Sequence, residues 1–167
     1  MPNTNIPFRA FTTKNTGLVN SLRNRVKIVY NGQTAEVDAL WDTGATRSCI
    51  SHDVASFLSM ISTGKSLINT PSGSQQVNTY LIDVILPNNV NVKDLQVTDS
   101  EIGNQGIGIL IGMDIISAGD FAVSNFNGKT VFTFRTPSKT VTDYVEQINL
   151  ENLIGPRHGK GKRKHKA

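Results

Sequence analysis

Residues 26–41, VKIVYNGQTAEVDALW, are two short alternating runs joined by Asn31-Gly32. Val26 to Tyr30 is β-branched and alternating. Thr34 to Trp41 returns with Ala35, Val37, Ala39 and Trp41 on one face. Period-two patterning makes each run a half-buried strand. Asn-Gly supplies the two positive-φ residues of a type I′ turn, so the runs fold back as a hairpin. The same pattern recurs along the chain. LINTPSGSQQVNTYLIDVILP reads as two strands around Pro-Ser-Gly, VNVKDLQVTDS alternates again, and FAVSNFNGKTVFTF is a hairpin turning at Asn127-Gly128. Many short strands separated by turn signals specify an all-β body.

Helical spacing is confined to short segments. SHDVASFLSM and the residue after it place Val54, Phe57, Leu58 and Ile61 on one helical face, with Ser51 as the cap. GIGILIGMDIISAGDF is an apolar run into Gly112, followed by one or two helical turns. KTVTDYVEQINLENL has helix spacing at Val141, Tyr144, Val145 and Ile148, with Thr140 and Asp143 as a capping box. These segments divide the chain into an arm over 1–24, a β domain over 25–137, a C-terminal helix over 138–154 and a disordered basic tail over 155–167.

Charge is unevenly distributed. The last eleven residues, RHGKGKRKHKA, hold six Lys/Arg and no acid, and the net charge of the whole chain is +4. The body is therefore near neutral. A solvated basic run of this kind suits weak nucleic-acid contact through residues 157–167, an acidic partner, or solubility alone. The 167 residues suit one domain with tails. No apolar run approaches the roughly 20 residues of a membrane span. MPNTNIPFRAF lacks the basic-then-apolar build of a signal peptide, so the expected address is cytoplasmic, with no membrane contact. Cys49 is the one cysteine, which excludes an internal disulfide and agrees with a reducing compartment.

The second strand delivers the chain to LWDTGATRSCIS. Asp42 ends an apolar run, where it is partly withdrawn from water. The Thr43 hydroxyl can lock a loop onto backbone, and Gly44 lets the chain turn and another backbone come close. A bare Asp-Thr-Gly is equally well an Asx turn closing a strand. It has an echo, however. ALWDTGA and GILIGMD both run apolar residues into a glycine-bearing loop ahead of a short helix, about seventy residues apart.

Taken together, these segments resemble the retropepsin-like aspartic proteases, the single-domain family of retroviral proteases and bacterial relatives. The matching residues are LWDTGAT at 40–46, the short helix after it, a hairpin around TPSGS at 70–74, and ILIGMDII at 109–116. FAVSNFNGKTVFTFRTP resembles the family's closing strands, so the likeness covers about residues 25–137. The resemblance implies a closed β-barrel or sandwich of short strands with one or two short helices, assembled as a symmetric homodimer. It implies an aspartic endopeptidase acting on a peptide or protein substrate, with Asp42 catalytic and Thr43, Gly44 and Ala45 in the active-site loop. Thr70, Pro71, Ser72, Gly73 and Ser74 would form a flap, and Ile111 and Gly112 the second signature. Neither metal nor cofactor is required. Gly112 stands where a second catalytic Asp would be, so the partner acid has to come from another copy.

The likeness has departures. Retroviral relatives carry acids soon after the glycine, where this chain has Thr46 and Arg47, and an Arg after the second glycine, where it has Met113 and Asp114. Two readings of Asp114 stay open: an ion pair with Arg47, or a cap on the following helix. A different function class is a dimeric binding module that grips an extended peptide without efficient cleavage, its basic tail contacting nucleic acid. Cys49 and His52 lack a third partner for nucleophilic catalysis, and Cys49 reads as a small core residue. Three scattered histidines and one cysteine do not supply a metal site.

Overall fold

The Asn31-Gly32 hairpin forms as its turn chemistry requires: φ is 47° at Asn31 and 79° at Gly32 in the computed structural model. The structure describes residues 7–70 and 73–154, so Pro71, Ser72 and the basic run after residue 154 lie outside it. The hairpin joins β2 (Leu22–Tyr30) to β3 (Gln33–Trp41). The other strands are β1 (Arg9–Lys14), β4 (Cys49–Ser51), β5 (Gly64–Thr70), β6 (Gly73–Leu86), β7 (Val90–Ser100), β8 (Ile109–Ile111), β9 (Asp120–Ser124) and β10 (Val131–Thr136). Three helices are described: α1 (His52–Phe57), α2 (Met113–Ile116) and α3 (Tyr144–Ile154).

Six strands close into a barrel in the order β2-β3-β8-β4-β7-β6, with β6 returning to β2 through Lys27↔Ile85, Ile28↔Val84 and Val29↔Asp83. Closure removes the exposed edges that an open sheet of short strands would carry. The inward residues, among them Ile28, Ala39, Ile50, Val84, Ile109 and Ile111, are fully buried. The β5–β6 hairpin extends from this barrel. β6 pairs with β7 from Thr79 onward, and its earlier residues pair with β5.

A second sheet, β1-β10-β9, packs against the end of β3. Its contact is aromatic. Trp41 stacks on Phe121 with ring centroids 5.3 Å apart, and Phe11, Phe132 and Phe134 surround it. Residues 9–14 and 22–24, read from the sequence as part of an arm, are therefore strands. Phe11 is the one buried residue of β1, and its register partner is Phe134, so the local pattern carries no strand signal. The segment after β10 is fastened by Asp120. It accepts hydrogen bonds from Ser138, the Lys139 backbone and Arg135, which hold its carboxyl well below the usual carboxylate range.

Two helices differ from their sequence reading. Ser51 caps α1 as expected, its Oγ accepting from the Val54 N–H at 3.2 Å. The buried residues are Val54, Ala55 and Leu58, whereas Phe57 and Ile61 are exposed. The helix is too short to reach Ile61, because Ser59 turns the chain at φ 48°. In α3 the cap is Asp143, whose Oδ1 accepts from Val145 and Glu146 N–H, so the helix begins at Tyr144 and not at the Thr140 box. Every residue of α3 is exposed, including Tyr144, Ile148 and Leu153. Among the described residues no helix is long and apolar enough to cross a membrane.

Candidate active site

The echo in the sequence is a physical pairing. β3 and β8 run parallel with Ala39↔Ile109, Leu40↔Leu110 and Trp41↔Ile111. Continuing that register sets Gly112 beside Asp42, and the Asp42 N–H donates to the Ile111 carbonyl at 2.9 Å. Asp42 is half-buried at the mouth of the barrel, in line with the apolar run that delivers it. Its Oδ1 accepts from the Gly44 N–H at 2.8 Å, so the loop orients its own carboxylate. The Ala45 carbonyl accepts from Met113 N–H at 2.8 Å, tying the loop to the start of α2. Thr43 is exposed, and its hydroxyl has no hydrogen-bond partner among the described residues.

Gly112 is where the two loops touch. A Cβ there would lie 2.7 Å from the Arg47 carbonyl carbon and 2.9 Å from the Ala45 oxygen, both backbone atoms that cannot swing aside. Gly112→Ala is expected to cost about 1–3 kcal/mol through overpacking. A thermal melt is expected to fall by roughly 2–4 °C per kcal/mol lost. An unchanged melting temperature contradicts the close approach.

Asp42, Thr43, Gly44 and Ala45 are thus brought together with Ile111 and Gly112. Thr70, Gly73 and Ser74 lie at the far end of the β5–β6 hairpin, where Thr70↔Gly73 is the last register pair. The remaining flap positions, Pro71 and Ser72, fall outside the described residues.

The sequence profile of the family described as "gag-polyprotein putative aspartyl protease" matches residues 26–118, more than half of the chain and both glycine loops. The chain belongs to this aspartyl protease family. Its fold is all-β and retropepsin-like. A retropepsin-like aspartic protease from Rickettsia conorii has TM-score 0.48 at 13% identity, covering 78% of this chain and 96% of that one. The Simian foamy virus (mac) protease has TM-score 0.41 at 23% identity, covering 56% and 89%. EIAV protease, solved with the inhibitor HBY-793, has TM-score 0.44 at 20% identity, covering 59% and 88%. A comparison with curated proteins finds no match.

In this member of the family, the departures noted in the sequence have a local explanation. Asp114 neither pairs with Arg47 nor serves as the N-cap of α2, a position held by Gly112. Its carboxylate instead accepts from Ser48 N–H at 2.8 Å and Ser48 Oγ–H at 2.7 Å, and also from Ile115 N–H. Ser48 Oγ in turn accepts from Gly112 N–H at 3.0 Å. One fully buried serine therefore locks the first loop to the second. Sequence reading missed Ser48, since nothing local marks its burial. The echo of the two glycine loops was the available signal.

The hairpin root has a comparable anchor that sequence reading also missed. Asp99 is buried and accepts from Asn78 N–H at 2.9 Å, Asn78 Nδ2 at 2.8 Å and the Tyr80 hydroxyl at 3.2 Å. Burial, then the neighbouring Asp99 charge, raises the Tyr80 phenol above its ordinary range, so it stays a donor. His52 turns toward Asp99 and Glu101 rather than Cys49.

Cys49 lies in β4 and is half-buried, so it is not the core residue that the sequence suggested, because it sits at the end of a three-residue strand; the burial it has pushes its thiol up to about 11. The thiolate is the reactive form, so at pH 8 its population is about a hundredfold below that of a thiol at the ordinary value of 9.0. Reaction with a disulfide reagent is expected to be slower in native protein, by less than that factor because a more basic thiolate is a better nucleophile, and to recover in urea. Equal rates in both conditions would refute the burial argument. Among the described residues no group of three His, Cys, Asp or Glu side chains is arranged to hold a metal ion.

Proposed function

We propose that the protein is an aspartic endopeptidase whose active form is a symmetric homodimer, each copy contributing Asp42. The observation that supports this reading is the parallel β3–β8 register, in which Asp42 has a glycine, Gly112, and no second carboxylate as its neighbour. A general acid and a general base are both needed, and one loop supplies one carboxylate. A two-fold axis beside Asp42 brings two.

Carboxylates that close cannot both ionise readily, so they share a proton and titrate as a pair, as aspartic-protease dyads do. The ionised member accepts a proton from a water held between them while that water attacks the peptide carbonyl carbon. The protonated member donates to the carbonyl oxygen, giving a neutral tetrahedral diol. Collapse of the diol breaks the C–N bond, and the proton passes to the leaving amine. The exposed Thr43 hydroxyl is free to bond across to the partner loop. The substrate lies extended against strand backbone under the β5–β6 hairpin, with Thr70 to Ser74 as its tip.

Digestion of a peptide library across a dilution series tests this. Specific activity is expected to fall with protein concentration as the dimer dissociates, and a pepstatin-type transition-state mimic is expected to inhibit. Activity per chain that is independent of concentration down to the monomer contradicts the shared site. A folded dimer that binds peptides without cutting them would be a binding module instead.

A further inference from the structure

The loop over residues 42–48 carries two charges, Asp42 and Arg47. Arg47 is exposed. The sequence offers Asp114 as its partner, but that carboxylate accepts from Ser48 N–H, Ser48 Oγ–H and Ile115 N–H instead. Among the described residues Arg47 makes no ion pair, and its guanidinium donates no hydrogen bond. A cation with nothing to neutralise it therefore stands on the loop that presents the catalytic acid.

Arg47 is also close to Asp42. A Cβ on Gly112 would lie 2.7 Å from the Arg47 carbonyl carbon, and the β3–β8 register sets Gly112 beside Asp42. Adjacent strands are about 5 Å apart, so the Arg47 backbone is about 10 Å or less from that of Asp42. An extended peptide rises about 3.3 Å per residue, so this distance spans about three residues of substrate. The hairpin proposed to cover the substrate has the same sign. Over residues 64–70 and 73–78, where β5 pairs with β6 beyond the barrel, Lys65 is the one charged residue. It is exposed and likewise has no ion pair among the described residues. Apart from Asp42, the depression that holds Asp42 and Thr43 is lined by uncharged residues.

We propose that Arg47 selects the substrate: the favoured peptide carries an Asp or Glu two to four residues from the scissile bond, its carboxylate paired with the Arg47 guanidinium. This rests on the reading that the protein is an endopeptidase sharing two Asp42 carboxylates. A guanidinium holds a carboxylate through two parallel N–H···O bonds. Water excluded by the closed hairpin strengthens that pair. The two-fold axis supplies a second Arg47, so the preference falls at equal distances on both sides of the bond. The dyad does not oppose it strongly. Its two carboxylates share a proton, and at about 10 Å their remaining charge is largely screened by salt.

The test uses the full chain and one peptide that it cleaves, taken from the library digest. Glu, Gln or Lys is placed in turn at each position on either side of the scissile bond, and kcat/KM is measured. One position on each side, at the same distance, is expected to favour Glu over Gln by about tenfold, and Glu over Lys by more. Salt at about 1 M is expected to shrink that ratio several-fold. Arg47→Glu is expected to invert the order, so that Lys exceeds Glu at the same position. If this variant fails to fold, the position and salt dependence of the wild-type ratio decide. Equal rates for Glu, Gln and Lys at every position overturn the role of Arg47 and leave the proteolytic reading standing. So does Glu favoured alike at all positions, as the net positive charge of the chain alone would give, or a Glu preference that persists in Arg47→Glu. If no peptide is cleaved in a manner that Asp42→Asn abolishes, the proteolytic reading itself falls and this inference with it.

Discussion

Asp42→Asn is expected to lower kcat for peptide cleavage by at least about 10²–10⁴-fold, the contribution of one positioned acid or base, while the dimer stays assembled. The local geometry makes this a clean substitution. Asp42 Oδ1 accepts from Gly44 N–H, and an amide oxygen accepts the same bond, so the loop keeps its shape. The Asp42 N–H still donates to Ile111, and Ser48 still joins Asp114 to Gly112. In the proposed homodimer, what is lost is the carboxylate that takes the water's proton, in both subunits at once. Single-peptide kinetics beside sedimentation on the same sample give both readouts. Wild-type turnover by the Asn protein would end the assignment, and dissociation of the variant would show that Asp42 is needed for assembly.

Trp41→Ala is expected to destabilise the fold by about 3–5 kcal/mol, the range for truncating a buried large aromatic. At roughly 2–4 °C per kcal/mol, the melting temperature falls by about 6–20 °C. Trp41 is 5% exposed and contacts four phenylalanine rings from β1, β9 and β10. Its indole N–H also donates to Asn24 Oδ1 at 3.1 Å, so truncation orphans a polar atom as well as opening a void. Trp41→Phe keeps one ring of the seam but loses the N–H and the volume of the second ring, so its cost is expected to lie between those of wild type and the alanine variant. Because Trp41 is the last residue of β3 and directly precedes Asp42, the alanine protein is expected to lose the proposed activity even where it remains folded. Denaturant unfolding of the three proteins orders them, and an alanine variant as stable as wild type would refute the aromatic seam.

Much of the barrel was legible because its information is local. Asn31-Gly32 and Asn127-Gly128 announce their turns through positive φ, and both pairs adopt it. Alternation assigns Ala35, Val37, Ala39 and Trp41 to one face, where Ala35, Ala39 and Trp41 are buried and Val37 is partly buried against the core. Ser51 was recognisable as a cap because capping needs one side chain and the next turn of backbone. Phe57 and Ile61 were misassigned because helical spacing says nothing of where a helix stops, and Ser59 stops α1 early.

By itself, the sequence determined the all-β class, the hairpins and the loop that presents Asp42, since turn chemistry and residue alternation act over a few neighbours. Only the tertiary structure decided that Phe11 closes an aromatic seam with Phe134, that Ser48 joins the two glycine loops through Asp114, and that Asp99 anchors the hairpin root. Phe11–Phe134 and Ser48–Asp114 join segments far apart in the chain, while Asp99 reaches Asn78 across paired β6 and β7. Burial around a polar side chain is set by whatever packs over it, and that information is absent from the residue's own neighbourhood in the chain.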